Sequence, residues 1–155
     1  MTQRIAFIGG GNMASAIIGG LLRQGFPVVN MDVVEPWDEA RTRLENEFHL
    51  TAHPRAGDFL QQAGMVVWAV KPQMFKEAAA DVAPWGDRPL HLSVMAGIPS
   101  DSMARALGSE RVVRTMPNTP ALIGKGMTAL YARQSVTDAA RQWATEVMGS
   151  TGATV

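Results

Sequence analysis

Residues 5–14 run Ile-Ala-Phe-Ile-Gly-Gly-Gly-Asn-Met-Ala, an apolar strand that leads straight into a glycine turn and then a helix. The pattern is G-x-G-x-x-G/A, with Gly9 and Gly11 in the glycine slots and Ala14 in the third small slot. Gly9 lets the chain turn tightly off the strand. Gly11 carries no side chain where a pyrophosphate must approach the backbone, and Ala14 lets the helix pack close to the sheet. Asn12 and Met13 lie at the mouth of that helix, whose free N–H groups and dipole favour an anion. A strand before the turn and an apolar-striped helix after it are the context such a turn needs in order to bind a dinucleotide.

The rest of the chain repeats the alternation. Apolar runs at Ile5–Ile8, Val28–Val34, Met65–Val70, Leu90–Val94, Val112–Thr115 and Met127–Ala132 read as strands, and Leu50–Ala52 as a short extended piece. Helical patterns fall at about Asn12–Gln24, from Pro36 to near Phe48, around Ala56–Gln62, at Gln73–Val82, up to Leu107, and at Thr137–Met148. Strands alternating with helices mean βαβ units. Strands apolar at every position suit a sheet covered on both faces. The expected fold class is therefore α/β, a Rossmann-like, doubly wound and mainly parallel sheet. At 155 residues this is one domain, 1–155. Residues 149–155, Gly-Ser-Thr-Gly-Ala-Thr-Val, read as a turn entering a further strand, which suggests a fragment; a frayed tail is the alternative.

Composition narrows the partners. Fourteen basic residues balance fourteen acidic ones with no block of like charge, so neither nucleic acid nor an anionic membrane is expected. Cysteine is absent, which excludes disulfides, thiolate metal sites and a thiol nucleophile, and suits a cytoplasmic setting. The stretch from Arg4 to Leu22 resembles a signal peptide in outline, but Asn12 and five glycines interrupt it. His49, His53 and His91 are too scattered for a metal site, and none is expected. No G-x-S-x-G elbow or P-loop lysine is present.

In a doubly wound sheet the ligand lies across the carboxyl ends of the strands, so the loops there select the candidates. Glu35 stands 24 residues after Gly11. It could accept hydrogen bonds from the adenosine ribose, which favours NAD, or it could serve the dipole of the helix that Pro36 opens. Arg41 and Arg43 could reach a 2′-phosphate or be solvated. In Ala69-Val70-Lys71-Pro72, the proline keeps Lys71 extended and suits main-chain contacts to a ribose and the nicotinamide side. Ser93-Val94-Met95-Ala96-Gly97 ends a strand in small residues that let flat rings approach. In Met116-Pro117-Asn118-Thr119-Pro120, two prolines stiffen a turn whose Asn118 and Thr119 side chains could bond a carboxamide or a substrate.

Together these segments resemble the N-terminal domain of the pyrroline-5-carboxylate reductases, the last enzymes of proline biosynthesis. The match runs through Phe7–Ala14, Ile17–Leu21, Ala69–Gln73, Ala96-Gly97 and Arg114-Thr115-Met116-Pro117-Asn118-Thr119-Pro120-Ala121-Leu122, and extends to Gly124 and Gly126–Thr128. The Val-Lys-Pro and Met-Pro-Asn-Thr-Pro runs are its specific part. The resemblance implies reduction of 1-pyrroline-5-carboxylate to proline with NADPH or NADH. The glycine turn, Ala69–Pro72 and Met116–Asn118 would line the cofactor site, and Asn118, Met116 and Thr119 would orient the nicotinamide and substrate. It also implies a second, helical domain, absent from this chain, that builds a homo-oligomer and holds most of the substrate. Glu35-Pro36 departs from the small polar or basic residues of NADPH-preferring members, so the choice between NADP and NAD stays open. A related imine or hydroxy-acid dehydrogenase, or a dinucleotide-sensing module without catalysis, are the alternative readings.

Overall fold

Short runs of β-branched and apolar residues, each closed by a glycine, a proline or a polar turn, set the strands. The computed structural model describes residues 3–117 and 128–149. The strands are β1 (Ile5–Ile8), β2 (Met31–Val34), β3 (Thr51–His53), β4 (Met65–Trp68), β5 (Leu90–Ser93), β6 (Val112–Pro117) and β7 (Thr128–Ala132). They form one sheet in the order β3-β2-β1-β4-β5-β6-β7. Every pairing is parallel except β6 with β7. The order reverses direction at β1, which lies between β2 and β4; this is the switch point of a Rossmann-like sheet. The expected α/β class holds.

Side chains alternate across the sheet and fill a core on each face. Ile5 and Phe7 of β1 join Met65 and Val67 of β4 and Leu90 and Leu92 of β5 on one face. Helix α1 (Asn12–Arg23) covers that face with Ile17, Ile18 and Leu21, α2 (Asp38–Phe48) with Leu44, and the last helix (Asp138–Gly149) with Ala140, Ala144 and Val147. Ala6, Ile8, Val66 and Trp68 point the other way, beneath α3 (Phe75–Val82) and α4 (Ser100–Leu107). The last helix is α5. Helices on both faces are what continuous apolar strands require.

Several element edges differ from the sequence expectation. Val28–Asn30 is a 3₁₀ turn after Pro27, so β2 begins only at Met31. Residues Asp58–Gln62 and Pro72–Met74 are also 3₁₀ turns. The Pro72 ring starts that turn, and α3 begins after it. β4 stops at Trp68 and β5 at Ser93, each followed by a residue that makes one more ladder bond before the chain leaves the sheet. Pro36 does not open α2 directly; Trp37 is its N-cap.

A polar chain crosses the second core. The Trp68 Nε1–H donates to His91 Nδ1 at 3.0 Å, and His91 Nε2 lies 2.7 Å from the Gly86 carbonyl oxygen. His91 is fully buried, and burial lowers its pKa to about 4. The ring is therefore neutral, with its proton on Nε2, donated to Gly86. At the other end of the sheet's second face, Asp32 accepts from Arg4 at 3.0 Å and contacts His53 Nε2 at 3.1 Å.

Candidate functional site

Main-chain bonds bring the loops at the carboxyl ends of β1, β2, β4 and β5 out flush with one another. Gly9 N–H donates to the Val34 carbonyl at 2.8 Å, Ala69 N–H to Ile8 at 2.8 Å, Glu35 N–H to His53 at 2.8 Å, and Val94 N–H to Trp68 at 3.1 Å. Each bond extends the ladder by one step. The segments led by Gly9, Glu35, Ala69 and Val94 therefore share one edge, centred on the switch point.

The glycines of the turn answer to different demands. Gly9 has φ +99°, and a Cβ there would stand 2.6 Å from the Ala69 carbonyl oxygen. A Cβ on Gly10 would meet Leu44 Cδ1 at 2.6 Å. At Gly11 a Cβ would meet nothing within 4 Å, and its φ of −82° suits any residue. Nothing in the described protein requires glycine there.

Gly11 is the N-cap of α1 yet makes no side-chain cap, and the first turn carries no acidic residue. Its first N–H groups have no partner within the helix, and the Glu35 carboxylate beside the turn accepts the Gly10 N–H just ahead of them rather than theirs. Gly11, Asn12 and Met13 are exposed at this mouth, while Ala14 behind them is fully buried against the sheet. Such a terminus is suited to a phosphate.

Glu35 turns inward. Its Oε1 accepts the Gly10 N–H at 2.9 Å and its Oε2 accepts the Trp37 N–H at 3.0 Å. One carboxylate therefore ties the glycine turn to the entry of α2. Arg41 is not free in solvent: it donates to the Glu35 carbonyl at 2.8 Å and pairs with Asp38. Arg43 is exposed. Lys71 is exposed and extended (φ −64°, ψ 142°), as the following Pro72 requires, and its carbonyl accepts the Met74 N–H at 2.8 Å. Ala69 and Val70 are half-buried beside it, and Pro72 is exposed. Ala96 and Gly97 are both exposed, and Gly97 takes φ +79° with open space around it.

Met116 and Pro117 close β6, opposite Ala129 and Thr128 of β7. Asn118 and Thr119 lie outside the described residues. Among the described residues, no group of three or more His, Asp or Glu side chains stands where a metal could be held. No helix among them is long and apolar enough to cross a membrane. Sequence reasoning missed two participants. Gly10 lends its N–H to Glu35, and Trp37 stands exposed at the exit of β2. An aromatic two residues beyond the β2 acid was the signal for the second.

The family model described as NADP oxidoreductase, coenzyme F420-dependent, matches residues 4–97. The pyrroline-5-carboxylate reductase of Haemophilus influenzae is 40% identical over 154 residues, and the match covers 97% of this chain and 56% of that protein. That of Pseudomonas aeruginosa is 40% identical over 153 residues, covering 97% and 56%. The solved pyrroline-5-carboxylate reductase of Coxiella burnetii superposes with a TM-score of 0.83 at 28% identity, covering 97% of this chain and 57% of that one. The chain thus spans about half the length of the curated relatives it matches. The chain belongs to the family described as NADP oxidoreductase, coenzyme F420-dependent, and across nearly its whole length it resembles the pyrroline-5-carboxylate reductases.

Proposed function

We propose that this chain is the NAD(P)-binding domain of a reductase that converts 1-pyrroline-5-carboxylate to proline. The observation that carries the reading is the open, uncapped helix mouth at Gly11, Asn12 and Met13, set at the switch point of the sheet. The residues fit the cofactor: N–H groups for the pyrophosphate, an extended Ala69–Pro72 backbone for the ribose, and the small, exposed Ala96 and Gly97 for a flat ring. A bound dinucleotide supplies the hydride for the C=N carbon. This chain's part is to bind and orient. The first turn of α1 neutralises the phosphates, and the Lys71 backbone runs along the ribose. Met116, Pro117, Asn118 and Thr119 orient the nicotinamide and the imine.

The 40% identical relatives, named pyrroline-5-carboxylate reductases, support this choice of substrate. A second, helical domain that excludes water and grips the substrate carboxylate belongs to the same proposal, as do a homo-oligomeric full-length protein and a cytoplasmic setting. The test is a calorimetric titration of the 155-residue chain with NADPH and NADH, paired with a proline-formation assay. Saturable binding of a dinucleotide with little or no turnover is expected. Binding of neither dinucleotide contradicts the cofactor role, and brisk proline formation contradicts the division of labour.

A further inference from the structure

We propose that the Trp37 indole is the surface on which the adenine ring of the dinucleotide stacks, with Glu35 acting as the positioning residue that holds it there. This rests on the reading that the chain binds NAD(P).

Trp37 is 61% exposed and takes part in none of the ring contacts among the described residues. An indole is the largest apolar side chain, and this one lies mostly in water, outside both core clusters. Its backbone, by contrast, is held from several sides. Pro36 stiffens the approach, and Trp37 itself is the extended N-cap of α2. Its N–H donates to Glu35 Oε2, and the other oxygen of that carboxylate takes the Gly10 N–H. Arg41 fixes the Glu35 carbonyl. A well-tied main chain carrying a mostly exposed aromatic, linked by a single side chain to the glycine turn, is the arrangement of a stacking platform beside a phosphate cradle.

Position selects the base. The adenosine half of a dinucleotide lies toward the end of β2, where an acid commonly meets its ribose. Here both oxygens of that acid already accept main-chain N–H groups, so Glu35 faces the turn. The other large exposed apolar groups do not compete for this role. Met13 and Met74 share the edge but carry no ring, Val29 precedes β2, and Tyr131 lies in β7 on the far side of the sheet order.

The experiment compares the wild-type chain with Trp37→Ala and Trp37→Phe by calorimetric titration with NADPH and with NADH, after thermal melts have established that each variant is folded. Base–aromatic stacking is worth enough that Trp37→Ala should bind both dinucleotides about tenfold more weakly. Trp37→Phe keeps a ring and should stay within about threefold of wild type. Adenosine monophosphate should quench indole emission in the wild type and quench it far less in Trp37→Ala. Wild-type affinity in Trp37→Ala, or equal weakening in both variants, overturns the platform while leaving the cofactor role standing. Absence of dinucleotide binding by the wild-type chain overturns both.

Discussion

Gly9→Ala is expected to cost this chain about 3 kcal/mol of stability, from the left-handed backbone and from overpacking at one position. The added Cβ would stand 2.6 Å from the oxygen and 2.8 Å from the carbon of the Ala69 carbonyl, both main-chain atoms. Neither can move without parting β1 from β4 at the switch point, where the Ala69 N–H bond to Ile8 holds the two strands together. For a chain of this size the loss corresponds to a fall in Tm of about 6–12 °C. Gly11→Ala is the counterpart. Its Cβ meets nothing, so stability should change by no more than about 0.5 kcal/mol. Dinucleotide affinity should nevertheless drop roughly tenfold, because the methyl group occupies the space that the pyrophosphate needs. Thermal melts and titrations on the two variants separate the roles. Equal stability loss in both would mean that the turn is shaped by packing alone.

Acid should weaken the fold through His91. The ring accepts from Trp68 and donates to Gly86, and it is buried, so its pKa falls to about 4; the nearby Arg111 charge lowers it further, while the Gly86 bond opposes the shift. In the unfolded chain the same group takes up a proton near pH 6.5. Between those values the unfolded state binds more protons, so stability declines as the pH falls. The His91 contribution is complete above the unfolded pKa, and about 3 kcal/mol of it should be gone by the folded pKa. Protonation of Nδ1 would also expel the Trp68 N–H. Urea melts from pH 7.5 to 4.5 on wild type and His91→Gln test this. The amide of glutamine can keep both hydrogen bonds but does not titrate, so its curve should be flatter even where its stability is lower. Parallel curves would contradict the assignment.

Much of this fold was legible because periodicity reports burial directly. Ile5–Ile8 and Met65–Trp68 are apolar on both faces, and only a covered parallel sheet satisfies them. Edges were harder. Val28 and Val29 look like strand, yet Pro27 starts a 3₁₀ turn and leaves Val29 in solvent. The glycine turn was readable because Gly9 takes a positive φ against the Ala69 carbonyl, a conformation and a space that only glycine fits. The direction of Glu35 was not. A spacing of 24 residues puts an acid at the end of β2 but says nothing about whether it faces a ribose or the Gly10 N–H. Nor does sequence tell that His91, one of three scattered histidines, is a core tie between Trp68 and Gly86, because its partners lie in β4 and beyond α3.

The most direct test of the cofactor role is a map of backbone amide shifts in the 155-residue chain as NADPH is added. Shifts should concentrate at Gly11, Asn12 and Met13, continue through Trp37 and Ala69–Lys71, and reach Ala96 and Gly97. The opposite end of the sheet, around Arg4 and Asn30, should stay still. Saturating NADPH with no shift at the glycine turn, or shifts centred away from the carboxyl edge of β1 and β4, would contradict the proposed role.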